Sequence, residues 1–249
     1  VLPGTYEPGP DLDGADLILR SIDGAASTVI DAAGSGRCMK FKNGDLVLDG
    51  FTLRNGEADK GAGLRVEGTT TTAEVANCVF EFNDCTNDGY GAGVYVKNLP
   101  DFWMHDSLLQ DNDCNSNDND NGSDGGGLYA ESASILVEDC QFLDNRAGDG
   151  GGMALEGATG SLLHNVIAGN LAWDSQPGVG DYNGGGGIAV HQGVILLSNN
   201  LIVDNDSTDT GGGLFLVDTA SQVTVDQCTV AFNLSDLGGA GIHAGAAGT

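Results

Sequence analysis

The residues whose types and spacing lend themselves to chemistry are mostly carboxylates. Residues 113–124 read Asp-Cys-Asn-Ser-Asn-Asp-Asn-Asp-Asn-Gly-Ser-Asp. Alternating carboxylates beside a glycine suit a hard cation such as calcium, which collects several oxygen ligands around a tight bend. Asp118, Asp120 and Asp124 are the candidate ligands. No Glu closes the loop at EF-hand spacing, and a solvated loop is the plain alternative. Asp88, Asp149 and Asp209 precede glycine clusters and would extend the same acidic edge. Asp111 and Asp144 fall at equivalent points of a repeat described below, and two close carboxylates are what acid–base cleavage of a glycosidic bond needs. Asp106, Asp139 and His164 recur at another equivalent point. Against catalysis, the Asn-Thr-Asp, Asp-Asp, His-Gly and Arg-Ile-Lys signatures of polygalacturonase-like enzymes are absent. An anionic uronate would also meet a chain with 36 Asp+Glu against 9 Lys+Arg, a net charge of −27. No residue is therefore assigned a catalytic role; a secreted polysaccharide lyase or glycoside hydrolase is the alternative reading.

That charge also argues against nucleic acid, whose phosphates need a basic footprint, and against an anionic membrane surface. The chain lacks the run of roughly 18 apolar residues that a helical span requires, so membrane insertion of this segment is not expected.

The elements that position these groups are repeats. A glycine cluster followed by alternating apolar residues recurs at Gly61, Gly91, Gly125, Gly150, Gly185, Gly211 and Gly239. A second segment of six residues ends in Asn, as in Cys78 to Asn83 and Cys140 to Asn145. A third segment precedes it, marked by Val75, Met104, Val137, Leu162, Leu197 and Val225. Alternation punctuated by Gly, Asn and Asp means strands and turns, and the segments are too short for helices. Three short strands per repeat, with no crossover helix, predict an all-β fold: a right-handed, single-stranded parallel β-helix of about eight or nine rungs. One domain is expected over residues 1–249, as part of a longer chain or as an uncapped stacking unit.

Within that frame, Thr52, Phe80, Leu109, Phe142, Ile167, Ile202 and Val230 are expected to stack inward. Asn55, Asn83, Asn112, Asn145, Asn170, Asn205 and Asn233 are expected to form an internal ladder, because Asn tolerates left-handed corners and can satisfy backbone groups there. Phe51, Val79, Leu108, Val166 and Leu201 form an outward apolar column, the candidate interaction face; Leu53, Leu143, Ala168, Val203 and Ala231 form the next. Cys85 and Cys114 each lie two residues after a ladder Asn, so they meet on neighbouring rungs and predict a disulfide. Cys78, Cys140 and Cys228 share an inward position with Ser107, Asn165 and Asn200. A disulfide points to an extracellular or cell-surface location.

The Phe80…Asn83 and Phe142…Asn145 pairs, and more loosely the glycine clusters, resemble the F-x-x-N and G-G-A-[ILV] motifs of the polymorphic outer-membrane protein family, bacterial β-helical autotransporter passengers. The opening, with Val1-Leu2-Pro3-Gly4-Thr5-Tyr6 and Leu48-Asp49-Gly50-Phe51-Thr52-Leu53, resembles secreted right-handed β-helix repeat proteins more broadly. The resemblance implies a bacterial surface location and a non-enzymatic scaffold, either an adhesin-like module or a fibre subunit. Its partners would be a second copy, end to end or side by side, or a cell-surface glycan.

Overall fold

The computed structural model describes residues 1–9, 11–114, 123–173, 184–217 and 220–245, and only the backbone of Asp88. Every element among the described residues is a strand. One rung shows the plan. Leu128–Glu131 lies in sheet 1, Ser134–Glu138 in sheet 2, Gln141–Leu143 in sheet 3 and the short strand Arg146–Ala147 in sheet 4. Each strand pairs in parallel with its counterparts on the rungs before and after. Sheets 1 and 3 have nine strands and sheet 2 has eight. Three strands per rung and the rung number follow the sequence reading; sheet 4 adds a fourth short strand.

Alternation decides what faces inward. Leu128 and Ala130 are buried in the core and Tyr129 points to the outer side of sheet 1. In sheet 3, Phe80, Leu109, Phe142, Ile167 and Ile202 stack in register and are completely buried. Burying one such side chain contributes about 1.5–3 kcal/mol, so the stack is a main source of cohesion.

Four corners join the sheets, and left-handed backbone recurs at each. Asn55, Phe82, Asp111, Asp144, Asp204 and Phe232 share one corner, with φ between 51° and 57°, and Gly169 continues the column. Asn77, Asp106, Asp139, His164, Asn199 and Gln227 share another, with φ between 49° and 56°. Directly after the first corner comes the ladder. Asn83, Asn112, Asn145, Asn170, Asn205 and Asn233 pass amide bonds of 2.9–3.0 Å from rung to rung. A second, shorter ladder joins Asn165 to Asn200 at 3.0 Å.

Asn55 is not in the ladder. The strand Thr52–Arg54 is shifted by one residue from the expected alignment: Leu53 pairs with Phe80 and Thr52 with Val79. Asn55 takes the left-handed corner with φ 53°, and Gly56 stands at the ladder position, donating its N–H to Asn83 Oδ1 at 2.9 Å. A Cβ on Gly56 would lie 2.1 Å from the Ala62 carbonyl, so only glycine fits there. The shift also moves Leu53 into the core in place of Thr52, and Phe51 with it. Left-handed geometry belongs to the residue before the ladder Asn, not to the ladder Asn itself. In the glycine clusters the third residue is forced by proximity: a Cβ on Gly127 would lie 2.6 Å from the Gly152 carbonyl of the next rung.

Candidate functional site: one loop-bearing edge and the outer face of sheet 1

Most of the variation in repeat length falls on one edge. Gly125 to Asn145, Gly150 to Asn170 and Gly185 to Asn205 are equal spans, whereas the return from Asn145 to Gly150 is short and that from Asn170 to Gly185 is long. The long insertions therefore enter sheet 1 from the sheet 4 side, and shorter ones sit at the sheet 1 to sheet 2 corner, as between Glu67 and Thr72. Asp118 and Asp120 lie outside the described residues. Asp124 is described, and it bridges to Tyr90 on one side and Asp149 on the other. Among the described residues no group of three or more His, Cys, Asp or Glu is arranged to hold a metal ion.

Asp124 and Asp149 instead form an acid–base cluster with His191. Asp149 is 6% exposed; its Oδ1 accepts from the Gly184 N–H at 2.7 Å, and its Oδ2 lies 3.3 Å from His191 Nε2. Burial, then the charge of Asp149, raises the Asp124 carboxyl well above the ordinary range. Burial works against protonated His191, but the hydrogen bond and charge of Asp149, with Asp124 and Glu156, outweigh it and raise its pKa. Neighbouring groups held in different protonation states are able to exchange a proton. His191 pairs in register with Glu156, and the outward Ala154 and Ala189 beside them are buried.

The carboxylate columns read from the sequence lie elsewhere. Asp111 and Asp144 do occupy adjacent rungs, and burial with the Asp144 charge raises the Asp111 carboxyl. Both sit at the left-handed corner filled by Asn55, Phe82 and Gly169 on other rungs. Asp106, Asp139 and His164 likewise fill the second corner column, with His164 Nδ1 3.8 Å from Asp139 Oδ1. Turn geometry accounts for both columns.

Cys85 and Cys114 form the expected disulfide, with Cα atoms 4.6 Å apart. They belong to a column of small residues in sheet 4, packed with Ala92 and Ala147. Cys78 and Cys140 are buried at the inward corner, and burial pushes both thiols up to about 12.

The interaction face needs correction at Phe51, which is 2% exposed in the core because of the register shift. The true outward column is Thr52, Val79, Leu108, Gln141, Val166, Leu201 and Thr229. Val79, Leu108 and Val166 are half-buried and Leu201 is exposed, so an apolar strip survives but Gln141 interrupts it. In the next column Leu53 is replaced by Arg54 for the same reason.

Sequence reasoning missed a cationic face. All Lys and Arg except Arg146 precede residue 98, and several project from the outer side of sheet 1. Lys40, Arg65, Tyr95 and Tyr129 follow one another in register, and so do Lys42, Glu67, Lys97 and Glu131. A concave site of about 360 Å³ opens among Lys42, Lys60, Arg65, Lys97, Tyr95 and Thr69. The available signal was the outward position of successive Gly-led strands, where 39–42, 64–67 and 94–97 place a cation each time.

Stacked parallel rungs, an internal Asn ladder and long insertions on one edge define the class: a parallel β-helix that carries its variable surface on a fixed coil. Residues 39–230, more than half of the chain, match the family model described as right handed beta helix region, and the chain belongs to that family. No curated protein and no solved structure matches it.

Proposed function

We propose that the chain is an extracellular, non-enzymatic β-helical scaffold of bacterial type, working as an adhesin-like surface module. The observation that carries this reading is the placement of the stacked carboxylates. Asp111 with Asp144, and Asp106 with Asp139 and His164, hold left-handed corners whose other rungs use Asn, Gly, Phe or Gln. A position that accepts phenylalanine and glycine is selected for backbone shape, not for proton transfer. The disulfide supports an oxidising location. The half-exposed strip of Val79, Leu108, Val166 and Leu201 supports contact with a partner or a second copy. Calcium enters as a ligand of the loop bearing Asp118, Asp120 and Asp124; melting that ignores both calcium and chelator removes it from the account.

A secreted carbohydrate-active enzyme is the second reading, favoured by the Asp124–Asp149–His191 cluster. A glycan panel assayed for new reducing ends and for unsaturated products separates the two. The scaffold reading expects binding without product. Turnover that disappears in Asp149→Asn would overturn it.

A further inference from the structure

We infer that the concave site on the outer face of sheet 1 binds an acidic sugar, one carboxylate or sulfate carried on a hydroxylated ring. The inference rests on the reading of the chain as a binding module, and assigns that module a ligand class.

The site gathers cations where the rest of the chain is acidic. Its lining includes four cationic side chains, Lys42, Lys60, Arg65 and Lys97, and the single carboxylate of Glu67. Glu67 stands between Lys42 and Lys97 in register, yet its carboxylate is taken by Arg65 at 2.7 Å. Lys97 is held by Glu131 at 2.6 Å. Lys42 has no carboxylate within ion-pair distance among the described residues. Lys60 has none either, and lies over the rings of Tyr90 and Tyr95 at 5.1 and 5.5 Å. Arg65 also keeps its Nε–H as a buried donor without an acceptor among the described residues. Lys42 and Lys60 thus leave two ammonium groups, beside the guanidinium of Arg65, to attract an anion seated among them.

Shape and polarity narrow the anion. The site spans three rungs, roughly 10 Å at a strand spacing of about 4.8 Å, which suits one or two sugar rings. Asn43, Asn98 and Thr69 stand along the sheet 1 to sheet 2 corner of the same site and offer amide and hydroxyl partners for ring hydroxyls. A long polyanion is disfavoured because it would leave the cationic patch and meet the acidic surface of a chain carrying −27.

Calorimetric titration of the whole chain with D-glucuronate, D-glucose and acetate tests this, beside the double variant Lys42→Met, Lys60→Met, which keeps both aliphatic stems. Glucuronate is expected to bind at least tenfold more tightly than either control, and the double variant is expected to lose at least tenfold while melting normally. Equal binding of acetate and glucuronate would overturn the proposal, as would an unaffected double variant. Self-association of the wild type that vanishes in the double variant would also overturn it, by making a second copy the occupant. Release of new reducing ends from a glucuronate oligomer would overturn the non-enzymatic reading while leaving the ligand class of this site standing.

Discussion

Asn145 shows how much one side chain does in the coil. Its Oδ1 accepts from the N–H and Nδ2 of Asn112 at 3.1 and 2.9 Å. Its Nδ2 donates to the Leu109 carbonyl at 2.9 Å and to Asn170 Oδ1 at 3.0 Å. Every polar group of the amide is used, and none has access to water. Replacing it with Ala leaves the Asn112 N–H and the Leu109 carbonyl buried without partners, at about 1–3 kcal/mol each, less any relief by an entering water. Asn145→Ala should therefore cost about 2–4 kcal/mol in urea denaturation. Asn55→Gly should stay within about 1 kcal/mol, since glycine tolerates a φ of 53° and only the bond to Asp31 is lost. Equal costs would show that both residues have the same role. The ladder was legible in the sequence because an amide recurs at the same point on six successive rungs. Asn55 misled because Asn also suits the corner one residue earlier, and only contact with the next rung distinguishes the two roles. The same slip hid Phe51, whose type fits the core as well as an outer face.

At the scale of elements, the coil and its insertions obey different rules. The strands were legible because alternation and glycine placement are local properties. The loop-bearing edge was not, because it unites residues from rungs far apart in sequence: Asp124, Asp149 and His191 belong to three successive rungs. The cationic site was hidden for the same reason, its Lys42, Arg65 and Lys97 coming from three different strands of sheet 1. The acid–base cluster has a consequence for stability. The Asp124 carboxyl is raised above 3.8 in the fold, so the native state holds a proton that the unfolded chain releases. Its favourable contribution is full below the unfolded value and is lost as pH rises through the folded one. His191, raised above 6.5, acts in the same direction: its contribution is full below 6.5 and fades as pH climbs past its folded value. Wild-type stability should thus decline from mildly acidic toward alkaline pH. Asp124→Asn, which carries no charge to bury, should flatten that decline and be the more stable protein at pH 8. Melting curves from pH 4 to pH 9 give the comparison. Parallel profiles for the two proteins would mean that the cluster does not store a proton.

Across the whole molecule, each rung touches only its neighbours, so cohesion is a sum of rung and interface contributions rather than one indivisible core. A crosslink in such a stack acts mainly on the rungs it joins. The Cys85–Cys114 bridge closes a sequence separation of 29 residues between adjacent rungs, worth about 3.6 kcal/mol in the loop-entropy model. Cys228 is the one partly exposed free thiol among the described residues, so alkylation before reduction should block it, and a second alkylation after reduction should count the bridge thiols. Burial pushes Cys38, Cys78 and Cys140 up to about 12, leaving little thiolate to react. Reduction should therefore loosen the protein locally. Hydrogen exchange after reduction and alkylation should speed up through residues 79–114 and into the strand Arg146–Ala147, which follows Cys114 in sheet 4. Strands Ile188–His191 and Leu201–Val203, two and more rungs away, should keep their protection. Their Phe142–Ile167–Ile202 stack and the Asn145–Asn170–Asn205 ladder do not pass through the bridge. Uniform acceleration along the chain would show that the coil unfolds as one cooperative unit and that the bridge acts on all of it.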